Sequence, residues 1–586
     1  MEPMDGSRRR DEMIEKVEGF PQPLGVTKRD GKINFAISVP AGKSCELLLY
    51  KAGVEEPEYI FQMPEEEGIG EVRFLALKDL EAVHYEYNYR IADCVCVDPF
   101  VKAVARTKAF GVSPDAERHE IRGRILDSEY DWEGDTFLSI PYHEVIAYSL
   151  HVRGFTKHNS SKVKRKGTFA GVIEKIPYFQ DLGINQIQCM PVYEFNEVIG
   201  GKINYWGYGK GYYFAPKAAY SFSEHAENEL KDMVKALHKA GIEVVLEMPF
   251  ENGIALHTVM ECLKYYMLEY HVDGFILNPF VVSLEALNQD PLLKGIKLMQ
   301  KDDRFQNIMR RFLKGDEGMV WDVIWALKHH TKKDGKFNYI TGHTGFTLHD
   351  LVSYDGKHNE ANGEQNQDGP DYNYSWNCGI EGPSRKKNIV ELRNKQVCNA
   401  FALLLTAQGM PCILAGDEFG NSQKGNNNVY CQDNETSWLD WNSWKRHEEL
   451  YTYVKRLIAF RKKHPALHRE KALLEQDKIG CGVPDVSYHG ENAWQVPAEV
   501  PSRQLGVMYS GVDVEDVTCY FAYNMHWNDH TYALPSLPKK KIWYRVLWDG
   551  QGLQEDDQGL QEDERRVEDQ KKIEVEARSV VFLIGK

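Results

Sequence analysis

The sequence has 586 residues, of which 42% are hydrophobic and 27% charged, and this is enough for two to four domains with apolar cores. The net charge of −16, from 71 basic and 87 acidic residues without a Lys/Arg-rich tract, argues against binding to nucleic acid or to an anionic membrane surface. Neither a signal-peptide core nor a run of about 18 apolar residues occurs, so we expect a cytosolic protein, or an organellar (plastid) one if a presequence has been removed.

The first folded region is predicted to be a small β-sandwich. Residues 1–20 are interpreted as a leader, and residues 21–125 alternate short β-branched and aromatic runs with turn residues. This alternation is typical of half-buried antiparallel strands. The predicted strands are Ile33–Val39, Cys45–Tyr50, Val72–Leu75 and Tyr85–Ile91.

A central barrel is predicted for residues 140–465, where helical and strand periods alternate. Two helical faces end at Gly183 and Gly241, positions suited to a helix C-terminal cap, and an apolar strand follows each. This order, repeated over about 320 residues, indicates a parallel sheet closed as a (β/α)8 TIM barrel. The predicted strands are Asn185–Met190, Ile242–Leu246, Gly274–Leu277, Ile296–Met299, Tyr339–Ile340 and Cys412–Leu414.

Short strands return in residues 466–586, which are predicted to form a C-terminal β-sandwich. The predicted strands there are Val517–Ala522, Ile542–Leu547 and Ser579–Leu583. The 11 cysteines show no paired CxxC spacing, so we predict buried free thiols rather than disulfides or a zinc site. Because no metal motif, phosphate loop or nucleotide fingerprint occurs, we expect neither a metal nor a cofactor.

Several long motifs resemble one enzyme family. The segment His271–Pro279, HVDGFILNP, and the stretches Phe346–Asn377 and Leu414–Trp441 resemble the isoamylase and glycogen-debranching branch of glycoside hydrolase family 13. This resemblance implies an α-amylase-like barrel and an α-glucan ligand. For residues 21–125 it implies a sandwich similar to carbohydrate-binding module family 48.

The resemblance also identifies catalytic positions, and these hold no carboxylates. Hydrolases of this kind use a nucleophilic carboxylate and a carboxylic acid at the carboxyl ends of barrel strands. Where the family has DGFRFD, this chain has Asp273 to Asn278, so an amide stands at the nucleophile position. The aspartate of the family motif AHD, which stabilises the transition state, is replaced by Thr344. The acid of the motif KLIAEPWD is interpreted as deleted near Gln300, so we predict that no catalytic residue is intact.

Residues that surround this site in the family are retained in part. His343 keeps the histidine of AHD, and Asn252 stands where the motif DVVxNH has its histidine. Aromatic faces stack on sugar rings. The aromatic residues of NYWGY (Asn204–Tyr208) and Tyr148, which belongs to the family's first-strand motif, are therefore candidates as well. An alternative interpretation is that Trp206 and Tyr208 only anchor the fold. The predicted substrate-binding residues are Tyr148, Tyr205, Trp206, Tyr208, Asn252 and His343.

Three polar segments are close to the debranching pattern and separate it from that of ordinary α-amylases. They are His358–Glu364, Tyr374–Gly379 and Gly425–Asn434. Their alternative interpretation is structural, as polar loops held by their own hydrogen bonds.

A rearranged active site is a further alternative. Acidic residues remain near strand ends, although nothing in the sequence places two of them across one glycosidic bond. These residues are Glu247, Glu251, Asp350, Asp355, Asp417 and Glu418.

The preferred hypothesis is a non-catalytic isoamylase-like protein of glycogen or starch metabolism. It binds α-glucan (glycogen, amylopectin or malto-oligosaccharides) or acts as a regulatory or scaffold subunit, with an active isoamylase or a second copy of itself as partner. The alternatives are an active α-1,6-glucosidase or glucanotransferase with a rearranged site, and a pure protein-interaction scaffold.

Overall fold

The computed structural model describes residues 14–105, 110–111, 121–126, 129–331, 335–547, 555–556, 559–560 and 563–586. The chain divides into two compact units. The first comprises Met1–Gly134 and Val192–Asp232, and the second comprises Asp135–Pro191 and Met233–Lys586. Residues 192–232, which fall within the predicted barrel range, therefore group with the amino-terminal residues.

The first unit contains two antiparallel sheets around one apolar core. The core includes Phe35, Leu47, Leu49 and Tyr87, which alternate with outward-facing residues along their strands. One sheet has the strand order Glu15–Val17, Val72–Lys78, Lys32–Ser38, Gly25–Arg29. The other contains Tyr59–Gln62, Cys45–Lys51, Tyr85–Ile91, Cys94–Cys96 and Gly123–Arg124. The first unit also contains the paired strands Tyr193–Phe195 and Gly211–Pro216, and Val198–Ile199 and Lys202–Ile203.

Part of the segment predicted as a leader, residues 1–20, is paired in this sheet. Residues 1–13 lie outside the described part of the chain, and Glu15–Val17 forms an antiparallel strand with Val72–Lys78. The sequence did not predict this strand, because pairing with a distant strand leaves no local signal in three residues.

The second unit contains a closed parallel sheet, as predicted for an α-amylase-type barrel. Neighbouring strands pair in parallel throughout, and the isolated bridges Gln300 to Lys336 and Asn338 to Pro411 join the fifth strand to the last. The described residues thus supply six strands and one bridging segment. The first to fifth strands and the last are Ala147–Leu150, Gln186–Cys189, Glu243–Glu247, Gly274–Ile276, Lys297–Met299 and Cys412–Leu414.

The barrel strands are short and buried on both faces, and most of their residues are apolar. Val245, Ile276, Met299 and Phe337 form one interior cluster. The predicted helix cap at Gly183 is confirmed, since this glycine has φ +91° and donates its N–H to the end of the preceding helix. The α-helices of the described chain are Val152–Lys157, Phe169–Ile173, Ile176–Leu182, Ala226–Lys239, Leu256–Tyr270, Leu284–Leu287, Asp303–Lys314, Val320–Lys328, Leu348–Leu351, Lys387–Leu405, Asn442–Arg446 and Glu448–Lys463.

The carboxyl-terminal residues of the second unit form an antiparallel sheet that packs against a two-stranded sheet. Tyr532 and Val575 of the two-stranded sheet pack with Met508, Tyr520 and Leu583 of the larger sheet. The larger sheet has the strand order Val486–His489, Gln504–Tyr509, Thr518–Asn524, Ser579–Gly585, Trp543–Leu547, Asp563–Arg566. The remaining strand pairs are His530–Ala533 with Lys572–Val575, and Glu555–Asp556 with Gly559–Leu560.

The cysteines are free thiols, of which only some are buried as predicted. Cys94 is exposed, and Cys96, Cys398, Cys431 and Cys481 are partly exposed. Within the described residues no helix is both long and apolar enough to cross a membrane.

Candidate functional site

Three neighbouring strand ends define the mouth of the barrel. The third, fourth and fifth strands pair in parallel in that order, so the residues that follow them meet at one end of the sheet. Glu247 ends the third strand, Asn278 follows the fourth and Lys301 follows the fifth. These three side chains occupy the edge where a barrel enzyme places its reacting groups.

An ion pair joins the two outer positions. Lys301 Nζ lies 2.8 Å from each carboxylate oxygen of Glu247. The Lys301 side chain retains 36% of its exposure and that of Glu247 only 11%. The carboxylate of Glu247 is thus held by a cation at the mouth, rather than being free to attack or protonate a ligand.

Asn278 is exposed and serves as a turn residue. Its side-chain Oδ1 accepts a hydrogen bond from the N–H of Phe280 at 3.0 Å. Its backbone carbonyl accepts from the N–H groups of Val281 and Val282, both at 3.0 Å. The side-chain oxygen therefore orders the loop after the fourth strand. Asn252, in the loop after the third strand, is also exposed.

His343 and Thr344 lie in the loop that follows the bridging segment. His343 Nε2 and Ser149 Oγ are 3.1 Å apart. Burial lowers the pKa of His343 well below its usual value, and the positive charge of Lys301 lowers it further. The imidazole is therefore neutral at pH 7. Thr344 is exposed, and its hydroxyl supplies no negative charge.

Tyr148 does not have the sugar-facing position predicted for it. It is completely buried, and its O–H donates to Glu418 Oε1 at 2.7 Å. Tyr178 donates to the same carboxylate. The Tyr148 ring packs edge-on against Phe155 and Phe179. Its hydroxyl and its faces are thus occupied within the core, and the prediction that it binds substrate is corrected.

The NYWGY segment belongs to the first unit and forms an asparagine-ordered turn. Asn204 Oδ1 accepts from the N–H of Gly207 at 3.1 Å, and Asn204 Nδ2 donates to the carbonyl of Tyr208 at 3.0 Å. Tyr205 and Trp206 are buried and Tyr208 is half-buried. Their contact with a sugar stays a prediction.

Comparison with known proteins decides the family. Residues 150–265 match the family model for the α-amylase catalytic domain. The chain is 28% identical to chloroplastic isoamylase 1 of Arabidopsis thaliana over 669 aligned positions, which cover 89% of this chain and 83% of that protein. It is 33% identical to the glycogen debranching enzyme of Erwinia tasmaniensis over 448 positions, covering 61% of this chain and 68% of that enzyme. The chain belongs to the isoamylase and glycogen-debranching family.

A solved structure supports the fold of this family member. The pullulanase of Paenibacillus barengoltzii, in complex with maltohexaose and α-cyclodextrin, superposes with a TM-score of 0.71 at 18% identity. The match covers 96% of this chain and 95% of the pullulanase chain. The predicted multidomain arrangement of sheet domains around an α-amylase-type barrel is thereby confirmed.

Lys301 falls opposite the acid of the isoamylase family motif when the fifth strand is aligned without a gap. Aligning the run KLMQK, which ends at Lys301, with the first five letters of KLIAEPWD puts Lys301 opposite the glutamate. The loop is short, as predicted near Gln300, because Asp302 already caps the helix Asp303–Lys314. This ungapped alignment puts Lys301 rather than a gap opposite the glutamate, and the loss of the acid near Gln300 stays a prediction.

The asparagine-rich family segments hold one another. Asn359 Nδ2 donates to Asn427 Oδ1 at 2.9 Å, and the Asn427 N–H donates to Asn359 Oδ1 at 3.0 Å. Asn426 Nδ2 donates to Asn362 Oδ1 at 3.0 Å, and Asn362 Nδ2 donates to Asp368 Oδ2 at 2.7 Å. These buried amides satisfy each other, which favours the structural interpretation of both segments.

Two acidic residues considered for a rearranged isoamylase site are buried and saturated by protein donors. Asp350 accepts from Ser422 Oγ at 2.6 Å and from the N–H of Gln423 at 2.7 Å. Asp417 accepts from the N–H of Leu348 at 2.8 Å. Burial raises the pKa of Asp350 to about 6 and that of Asp417 to about 7. Both carboxyl groups support the loops of the barrel and face away from the solvent.

Proposed function

We propose that this protein is a non-hydrolytic member of the isoamylase family, which binds α-glucan and serves as a regulatory or scaffold subunit in glycogen or starch metabolism. The observation that carries the proposal is the ion pair between Lys301 and Glu247 beside the amide of Asn278. We place this role in the cytosol or a plastid, where such glucans are stored. An active isoamylase or a second copy of the chain is the proposed partner.

The chemistry of the mouth supports the absence of hydrolysis. A retaining glycosidase needs two carboxyl groups about 5–5.5 Å apart, one to attack and one to protonate the leaving oxygen. Here the nucleophile position carries an amide, which has no anionic oxygen. The acid position carries Lys301, whose charge is paired with Glu247 at 2.8 Å. At these two positions of the described chain, a carboxylate and a carboxylic acid do not face one another.

Glucan binding is supported by the family and by the neutral character of the ligand. A related pullulanase structure contains maltohexaose. A neutral polymer also raises no electrostatic conflict with a chain of net charge −16.

The test combines two measurements on one preparation of the full chain. Titration calorimetry with maltoheptaose and glycogen measures binding, and a reducing-end assay on glycogen and amylopectin measures hydrolysis. An active debranching enzyme, added to a parallel sample, confirms that the substrate is cleavable. Binding without release is the expected result. Release by the purified chain would overturn the proposal in favour of a rearranged active site, and the absence of binding would favour a pure interaction scaffold.

A further inference from the structure

The second unit contains a groove of about 1080 Å³, whose lining residues include none of the mouth residues Glu247, Asn278 and Lys301. Its walls come from the helix Lys387–Leu405 and from the start of the strand Ser579–Gly585. Two indole rings, Trp376 and Trp527, line it. A groove of this size holds several sugar rings, since ligand pockets typically measure about 300–1,000 Å³.

Trp527 is exposed but held in a defined position. Its side chain retains 59% of its exposure, although an indole of this size usually finds an apolar partner. His526 stacks on it with ring centroids 4.1 Å apart, and the Arg503 guanidinium lies 4.7 Å from the ring centroid. The turn is fixed because Asn524 Nδ2 donates to the carbonyl of Asn528 at 2.9 Å. Because the Trp527 side chain is already ordered, a ligand that stacks on it loses little binding free energy to side-chain ordering.

Trp376 is fixed in a similar way. Its backbone N–H donates to the carbonyl of Leu351 at 3.0 Å. The Arg578 guanidinium lies 4.7 Å from its ring centroid and donates to the carbonyl of Lys314 at 2.8 Å. The groove thus presents two aromatic side chains that are ordered before any ligand arrives.

The polar side chains of the groove suit hydroxyl groups rather than a charged ligand. Asn388 and Asn394 are exposed, and their side-chain amides make no hydrogen bond within the described part of the chain. Each of the three charged lining residues already has a protein partner: Lys395 Nζ lies 3.1 Å from Glu576, Glu391 lies 3.6 Å from Lys387, and Arg578 donates to the carbonyl of Lys314. The groove therefore offers amide donors and acceptors beside charges that are already engaged, which suits an uncharged polyol.

A second cavity, of about 380 Å³, is lined by Arg503 and His526. These are the two residues that hold the Trp527 ring, which lines the larger groove. Both cavities therefore border the same cluster of side chains around Trp527.

We infer that this groove binds a linear α-glucan chain through stacking on Trp376 and Trp527. The inference rests on the proposed function and deepens it, because it assigns glucan binding to a surface of the second unit whose lining residues include none of those at the mouth. The CH-rich faces of glucose rings pack on indoles, and the amides of Asn388 and Asn394 reach the ring hydroxyls.

The test uses the full chain, maltoheptaose calorimetry and electrophoresis in glycogen-containing gels. Trp527→Ala is compared with Trp321→Ala, because Trp321 is 58% exposed and lies outside the groove, on the helix Val320–Lys328. We expect Trp527→Ala to weaken binding about tenfold, since an aromatic contact and its buried area contribute on the order of 1.4 kcal/mol. Trp527→Phe should restore part of the affinity, and Trp321→Ala should leave it unchanged.

Failure of this inference is distinguishable from failure of the proposed function. If the unaltered chain binds glucan and Trp527→Ala binds equally well, the groove assignment is wrong while the proposed function stands. If the unaltered chain binds no glucan, both are wrong. If Trp527→Ala instead changes the sedimentation coefficient and leaves glucan affinity intact, the groove is a protein interface and the inference is overturned.

Discussion

Lys301 Nζ lies 2.8 Å from both carboxylate oxygens of Glu247, and the pair spans from the fifth barrel strand to the third. The fourth strand, which leads to Asn278, lies between these two strands in the sheet. A cation therefore pairs with a nearly buried carboxylate across the mouth of the barrel, beside the amide of Asn278. This ion pair is the relationship on which the proposed absence of hydrolysis rests.

Restoring the nucleophile alone should not restore hydrolysis. In Asn278→Asp the new carboxylate has no acid opposite it, because Lys301 is paired with Glu247 and Thr344 supplies no charge. We expect no reducing ends from amylopectin above the level of the unaltered chain, with glucan affinity unchanged. Debranching by Asn278→Asp alone would mean that another residue serves as the acid.

Removing Lys301 should destabilise the barrel. Lys301→Met leaves the Glu247 carboxylate, which is nearly buried, without this cation, and such a loss costs about 1–3 kcal/mol. The double variant Lys301→Met, Glu247→Gln should lose less than the sum of the two single changes. Chemical denaturation of all four proteins measures this coupling, and additive losses would show that the pair contributes nothing.

Tyr148→Phe should affect stability and not binding. The change removes a buried hydrogen bond to Glu418, for which we expect a loss of about 1–2 kcal/mol in the free energy of unfolding. Affinity for maltoheptaose should stay the same, because the ring is enclosed in the core. Weaker binding at unchanged stability would instead support the original prediction of a sugar contact.

Asp417 should make the protein less stable as pH rises. Burial raises its pKa from 3.8 to about 7, so the folded chain binds a proton that the unfolded chain releases at lower pH. The stabilising contribution of this proton is fully present below pH 3.8 and is lost as pH rises toward 7.

The matched variant is Asp417→Asn, which keeps an acceptor oxygen for the Leu348 N–H. Its melting temperature relative to the unaltered chain should be higher at pH 7.5 than at pH 4.5, because the amide does not ionise. A difference that is the same at both pH values would contradict the raised pKa.

The sequence by itself determined the strands and helices whose signals are local. The strand Tyr85–Ile91 was predicted at its observed bounds, and Gly183 ends its helix as its cap position required. Alternation every two residues, helical spacing and a positive φ at glycine all act within a few residues along the chain. The prediction that Asn278 stands at the nucleophile position likewise rests on an unbroken local motif.

Only the tertiary structure decided which residues meet. The pair Lys301 and Glu247 joins positions 54 residues apart, and the bond from Tyr148 to Glu418 joins positions 270 apart. The groove that contains Trp376 and Trp527 likewise brings together distant segments. The burial of a side chain and the identity of its hydrogen-bond partner depend on how sheets and helices pack. The local hydrophobic period of the sequence does not indicate either.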